Sequence, residues 1–190
     1  KKGLNVPITG DPEQVISTGN PSKKVALIGY DYKGMKPTLA VSEGDIVKLG
    51  QLLFTDKKME GVNYTAPAAG KVIAINRGKK RVFESLVIEC AETEEELTFT
   101  AYKDNQLKDL GVEDVKTNLI ESGMWTALRA RPYGKVANPA ETPQSIFVTA
   151  MDTNPLAPSL EKILEGNEPA FQNGLTVIAK LTEGKIFLCQ

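Results

Sequence analysis

The sequence predicts a two-domain α+β chain, with an all-β domain in the first half and a truncated α/β domain in the second. Two observations predict it. Up to about residue 97, short apolar runs are punctuated by glycine and proline, the pattern of a small barrel or sandwich of short strands. Beyond it, apolar residues at helical spacing alternate with strand-like runs, the grammar of a parallel α/β crossover. The division is drawn at residues 1–97 for the β domain, 98–104 for a linker and 105–190 for the α/β domain.

In the first half the predicted strands are Val25–Gly29, read as buried, Gln51–Phe54, Val62–Thr65, Lys71–Ile75 and the longer Val82–Cys90. Turns fall at Lys33-Gly34, Glu43-Gly44-Asp45, Gly50, Gly61, Pro67, Gly70 and Arg77-Gly78. In the second half, Val112–Ile120 has helical spacing, with Gly123 as its stop. Ser145–Met151 reads as a buried strand, Pro158–Leu164 as a short helix ended by Gly166, Pro169–Leu181 as a second helix carrying Gly174, and Lys185–Cys189 as a strand. Two parallel strands do not make a stable sheet, because parallel sheets need several strands and cover on both faces. More of the α/β domain is therefore expected beyond residue 190.

Composition narrows the chemistry. Of 190 residues, 25% are charged and 41% apolar, and the formal net charge is −1, so no broad basic field points to nucleic acid. The run Glu92-Thr93-Glu94-Glu95-Glu96 is a solvated segment or a docking patch. Cys90 and Cys189 sit in apolar runs and read as buried free thiols at strand ends, which suits a reducing compartment. There is no histidine, which removes the commonest general base and metal ligand and excludes Ser-His-Asp and Cys-His nucleophiles. No metal site is expected. No apolar run reaches the roughly 20 residues that span a bilayer, and no signal peptide is visible. The chain is expected to be soluble, with a peripheral attachment to a membrane partner left open.

The densest pattern in the first half is Val41-Ser42-Glu43-Gly44-Asp45-Ile46-Val47-Lys48-Leu49-Gly50-Gln51-Leu52-Leu53, followed by Ala66-Pro67-Ala68-Ala69-Gly70-Lys71-Val72. Glu-Gly-Asp between alternating apolar segments is a tight turn. Proline fixes the entry to a strand and Gly70 turns into it. Together these stretches resemble the biotinyl/lipoyl-type barrel-sandwich hybrid over roughly residues 38–76. The resemblance implies that fold without implying a carried cofactor. In carrier domains a modified lysine lies on a hairpin between the two stretches, and Asp56-Lys57-Lys58 occupies that place. Lys58 stands where lipoyl domains carry alanine, and Met59-Glu60-Gly61-Val62 lengthens the connection, so no modification of Lys57 is expected.

The most informative stretch of the second half runs from Ile120 to Gly134 and contains Gly123-Met124-Trp125, Arg129-Ala130-Arg131 and Pro132-Tyr133. It follows a helix and precedes a strand, the place of a phosphate-cradling loop in a nucleotide-binding α/β unit. It resembles an altered form of the glycine-rich FMN loop in the flavin/NADH-binding subunit of respiratory complex I, and the Rossmann-like domain of that protein is the implied fold. The glycines are largely gone, and Pro132 has no N–H to offer a phosphate. Arg129 and Arg131 keep the forked geometry that suits carboxylate or phosphate; the other reading is a surface turn whose arginines pair with local acids such as Glu121 or Glu141. Trp125 reads as a core anchor or as a stacking platform. Met151-Asp152-Thr153-Asn154-Pro155 parallels a further segment of the same complex I protein, which adds Asp152. Trp125, Arg129, Arg131 and Asp152 are therefore candidates for an anion or quinone-side site.

The opening Lys1-Lys2-Gly3-Leu4-Asn5-Val6-Pro7-Ile8-Thr9-Gly10, together with Gly34-Met35-Lys36-Pro37, Asp56-Lys57-Lys58 and Asp152–Ala157, resembles the A subunit family of the Na+-translocating NADH:quinone oxidoreductases along essentially the whole chain. The resemblance implies a protein on the cytoplasmic face of the bacterial inner membrane that carries no cofactor and no catalytic residue. It would support quinone reduction beside a membrane subunit, with ubiquinone as the substrate and FMN, FAD, riboflavin and iron–sulfur centres confined to partner subunits. It implies no nucleic acid partner. It also implies a natural protein about twice as long. A biotin/lipoyl-type carrier and an FMN-binding dehydrogenase subunit are the alternatives.

Overall fold

A computed structural model describes residues 9–189; residues 1–8 of the opening motif lie outside them. The chain forms two compact units that are interleaved in sequence. One comprises 20–102 with 111–141; the other comprises 103–110 and 142–189 with the described part of the first nineteen residues.

The first unit is built on two antiparallel sheets. One contains β1 (Lys24–Ile28), β7 (Phe83–Cys90), β6 (Gly70–Arg77) and β3 (Ile46–Val47), in that spatial order. The other contains β2 (Pro37–Leu39), β4 (Leu52–Asp56) and β5 (Asn63–Thr65), with β4 in the middle. β6 and β7 pair along nearly their full length, from Gly70↔Cys90 to Arg77↔Phe83. Alternate residues of the central strands point to a common interior. Leu53, Phe54, Val62, Tyr64, Val72, Leu86 and Ile88 are buried there. At its centre the Phe54 ring stacks on Tyr64 at 4.7 Å and meets Phe83 edge-on at 5.1 Å, while Tyr32 closes on Tyr64 edge-on at 4.8 Å. Such aromatic pairs add to what their burial alone contributes. The Glu-Gly-Asp turn forms as its sequence requires: Gly44 sits at φ +98° and its N–H donates to the Val72 carbonyl at 2.8 Å. β1 departs from the buried strand expected there. It lies at a sheet edge and only Leu27 of its five residues is buried, since an edge strand has one flank without a neighbour.

Helix α1 (Val112–Glu121) packs within this β unit. Its amide end is fastened by Asp114, whose carboxylate accepts from the Gly111 N–H at 3.2 Å. Its other end docks on β5: the Thr65 hydroxyl donates to the Ser122 carbonyl at 3.0 Å. Gly123 follows in the left-handed region at φ +78°, and a Cβ there would stand 2.2 Å from the Thr65 hydroxyl oxygen. Both the turn and the docking therefore need glycine. A 3₁₀ turn at Met124–Ala127 leads into the two-residue strands β8 (Arg129–Ala130) and β9 (Lys135–Val136), which pair as a hairpin.

In the second unit, β10 (Ser145–Thr149) and β11 (Lys185–Cys189) pair in parallel with Phe147 opposite Phe187. Between them run α2 (Leu160–Leu164) and α3 (Glu168–Ile178). The Ser159 hydroxyl caps α2 by accepting from the Lys162 N–H at 3.2 Å, and Pro169 sits in the first turn of α3. The buried strand expected at 145–151 is not buried: Phe147 and Phe187 stack at 4.9 Å yet remain 64% and 42% exposed. Among the described residues this sheet has two strands, too few for a parallel layer covered on both faces. The cysteines end β7 and β11 as free thiols, but both are half-buried rather than buried.

Candidate functional site

The turn after β4 carries the lysine pair. Asp56, the last residue of β4, is buried, and one of its carboxylate oxygens accepts from the Lys36 N–H at 3.0 Å and the Lys58 N–H at 2.9 Å. The Lys57 N–H in turn donates to the Lys36 carbonyl at 2.8 Å. A buried carboxylate is tolerable when such donors face it, and this one ties the β4–β5 turn to the segment leading into β2. Lys57 thus lies exposed on a hairpin turn, the place its resemblance to carrier domains implied.

The Arg-rich stretch does not form an open loop. Gly134 N–H donates to the Ala130 carbonyl and Ala137 N–H to the Leu128 carbonyl, both at 2.9 Å, closing the β8–β9 hairpin on itself. Pro132, at its tip, has no N–H. Trp125 is 3% exposed, and its indole N–H donates to the Ala137 carbonyl at 2.8 Å, which anchors the hairpin from below. Arg129 does not pair with Glu121 or Glu141. Its guanidinium donates to the Asp31 carbonyl at 3.2 Å and lies over the Tyr32 ring at 5.0 Å, an arrangement with both hydrogen-bond and cation–π character. Arg131 is exposed at the tip. Asp152 belongs to the other unit, where its carboxylate accepts from the Asn154 N–H at 2.8 Å and so holds its own turn. Trp125, Arg129 and Arg131 share one hairpin; Asp152 is not part of it.

Beside the hairpin, within the same unit, is a cavity of about 490 Å³ whose walls include Leu27, Tyr32, Tyr64, Leu97, Phe99 and Met124. Its volume falls in the range of small-molecule sites. Tyr64 is 1% exposed, and among the described residues its hydroxyl has no hydrogen-bond partner. Burial pushes this phenol well above the ordinary tyrosine range, and the Asp56 carboxylate and Tyr32 push it the same way against the opposing pull of Arg129. Tyr32, Tyr64 and Asp56 escaped notice as a group in the sequence, because they meet only through the fold. The Glu92–Glu96 run is exposed as expected; Glu95 pairs with Lys48 at 3.1 Å and both partners are largely solvated, so the pair contributes little.

Residues 1–91 match the NqrA N-terminal barrel-sandwich hybrid domain and residues 110–190 match the NqrA second alpha/beta domain. The chain belongs to the NqrA family. The A subunits of the Na(+)-translocating NADH-quinone reductases of Alcanivorax borkumensis, Marinomonas sp. and Pseudomonas aeruginosa are 55%, 58% and 54% identical to it across the whole chain. The chain spans 42% of the length of each of these relatives. The barrel-sandwich expectation for the first half and the α/β expectation for the second are both met by this NqrA assignment. No helix among the described residues is long and apolar enough to cross a membrane.

Proposed function

We propose that this chain is part of the A subunit of a Na+-translocating NADH:quinone reductase, and that it supports quinone reduction and assembly without holding a redox centre. In this reading the protein lies on the cytoplasmic face of the inner membrane beside a membrane subunit, and FMN, FAD, riboflavin and iron–sulfur centres reside in partner subunits. The chain contributes no catalytic residue. The observation that carries the reading is the closed β8–β9 hairpin. A flavin phosphate needs several backbone N–H groups facing one concavity. Here the amides of Gly134 and Ala137 are committed to Ala130 and Leu128, and Pro132 contributes none. The cavity flanked by Tyr32 and Tyr64 would suit a neutral ring, since its walls are largely apolar.

Titration with FMN, followed through the single Trp125, tests the flavin half of this reading; no quenching is expected, and tight saturable quenching would overturn it. Photo-crosslinking of a quinone analogue to the intact complex tests the other half. Labelling of the peptides bearing Tyr32 or Tyr64 supports a direct quinone contact, and labelling confined to other subunits leaves this chain a scaffold. The position of Lys57 on a hairpin turn keeps the carrier reading testable: intact mass of protein from its native host should show no lipoyl or biotinyl increment.

A further inference from the structure

Three segments distant in sequence meet on one side of the β unit: residues 31–36, the β4–β5 turn and the β8–β9 hairpin. The first joins the other two. Lys36 bonds through its backbone to Asp56 and Lys57. Arg129 bonds to the Asp31 carbonyl and covers Tyr32. Gly34 lies against Lys135 and Gly134 against Lys33, with the nearest side-chain atoms 3.8 and 4.0 Å from where a Cβ would stand. The cations brought together are Lys33, Lys36, Lys57, Lys58, Arg129, Arg131 and Lys135, and all seven are exposed. Among the described residues none of them forms a salt bridge. The same segments hold three carboxylates, Asp31, Asp56 and Glu60, of which Asp56 is buried and already bonded. This concentration stands out in a chain whose net charge is −1.

We propose that this surface docks on the anionic face of a lipid bilayer. Two observations favour a bilayer over an acidic protein. Five of the seven cations are lysine, which protein–protein interfaces deplete, whereas a plane of phosphates accepts point charges without fixed geometry. Tyr30 and Tyr133 stand beside them, 69% and 71% exposed, and tyrosine next to lysine and arginine is the pattern of residues resting at headgroup level. Each cation near an anionic surface strengthens binding by about fivefold, and the effect fades beyond roughly 10 Å at ordinary salt. The hydrogen bonds around Asp56 and the closed hairpin hold the two turns in place, so little ordering has to occur on contact. This inference goes beyond the proposed role in quinone reduction and rests on charge placement alone; it survives if no quinone binds this chain.

The test is co-sedimentation of the 190-residue chain with vesicles of phosphatidylcholine, with and without about 30% phosphatidylglycerol, at roughly 0.1 M salt. Binding to the anionic vesicles should exceed binding to the neutral ones by at least about tenfold and should collapse at about 0.5 M salt. The variant carrying Lys33→Gln, Lys36→Gln, Lys57→Gln, Lys58→Gln and Lys135→Gln should lose most of that binding. A control with Lys23→Gln, Lys71→Gln and Lys79→Gln should stay within about twofold of the parent. Circular dichroism confirms that each variant is folded; if the five-site variant is not, the pair Lys57→Gln and Lys58→Gln replaces it, with a loss of about 25-fold expected. Equal binding to neutral vesicles, or full retention in the folded variants, overturns the proposal. So does binding to soluble polyglutamate without binding to vesicles, which would assign the surface to an acidic protein.

Discussion

Replacing Tyr64 by phenylalanine should make this protein more stable. The ring is the centre of the aromatic cluster, stacked on Phe54 and edge-on to Tyr32, and phenylalanine preserves that packing. What the substitution removes is a buried hydroxyl that has no partner among the described residues. Leaving such a group buried costs about 1–3 kcal/mol, so Tyr64→Phe should gain about 1–2 kcal/mol, equivalent to a rise in Tm of about 2–8 °C. Urea unfolding followed through Trp125 reads the relevant unit, because Trp125 and Tyr64 lie in the same one. A second signature comes from alkaline pH. The phenol is held above its ordinary range in the fold, so the unfolded phenol ionises first. The group adds no pH dependence below about pH 10, and stability falls as pH rises beyond that, by up to about 1.4 kcal/mol per pH unit. The variant should lack that component of the alkaline loss. If Tyr64→Phe instead destabilises by about 1 kcal/mol or more at neutral pH, the hydroxyl has a partner and the reasoning fails.

Three further outcomes follow from the same contacts. Gly123→Ala should cost about 2–4 kcal/mol, combining a left-handed backbone with a clash against Thr65, and a chemical denaturation midpoint unchanged from the parent would refute the docking of α1 on β5. Asp56→Ala should cost about 2–4 kcal/mol by stripping two backbone N–H groups of a charged acceptor, and hydrogen exchange should speed up selectively at the Lys36 and Lys58 amides. Trp125→Phe should cost about 1–3 kcal/mol through the lost bond to Ala137 and the cavity left behind; in the parent, the emission of this single tryptophan should be blue-shifted and move to the red on unfolding, and red-shifted native emission would contradict its burial.

The longer elements were legible because each carries a period or a stop. Val82–Cys90 is a long, mostly apolar run following the Arg77-Gly78 turn, Val112–Ile120 repeats at helical spacing, and Gly123 ends the helix as its sequence position predicts. β2, β3, β8 and β9 were not legible, since two or three residues hold no period and form only because a neighbouring strand offers its hydrogen bonds. The Arg-rich stretch was misjudged in its pairing for a related reason. Glu121 and Glu141 are close in sequence, but Arg129 finds the Asp31 carbonyl nearly a hundred residues away. Lys57 could be placed on its hairpin through the resemblance to carrier domains, whereas the carboxylate that braces the turn, and the phenol behind it, become visible only when β2, β4 and β5 are laid side by side.

The helix that seals β5 comes from sequence well beyond the last strand of the barrel-sandwich, so the folded body and the contiguous gene segment do not coincide. Cutting the chain after residue 97 would leave Thr65 facing water where Ser122 and Gly123 had been, and would strip Trp125 and its hairpin from beside Tyr32. A barrel-sandwich module cut at residue 97 would thus be missing the lid that residues 111–141 supply.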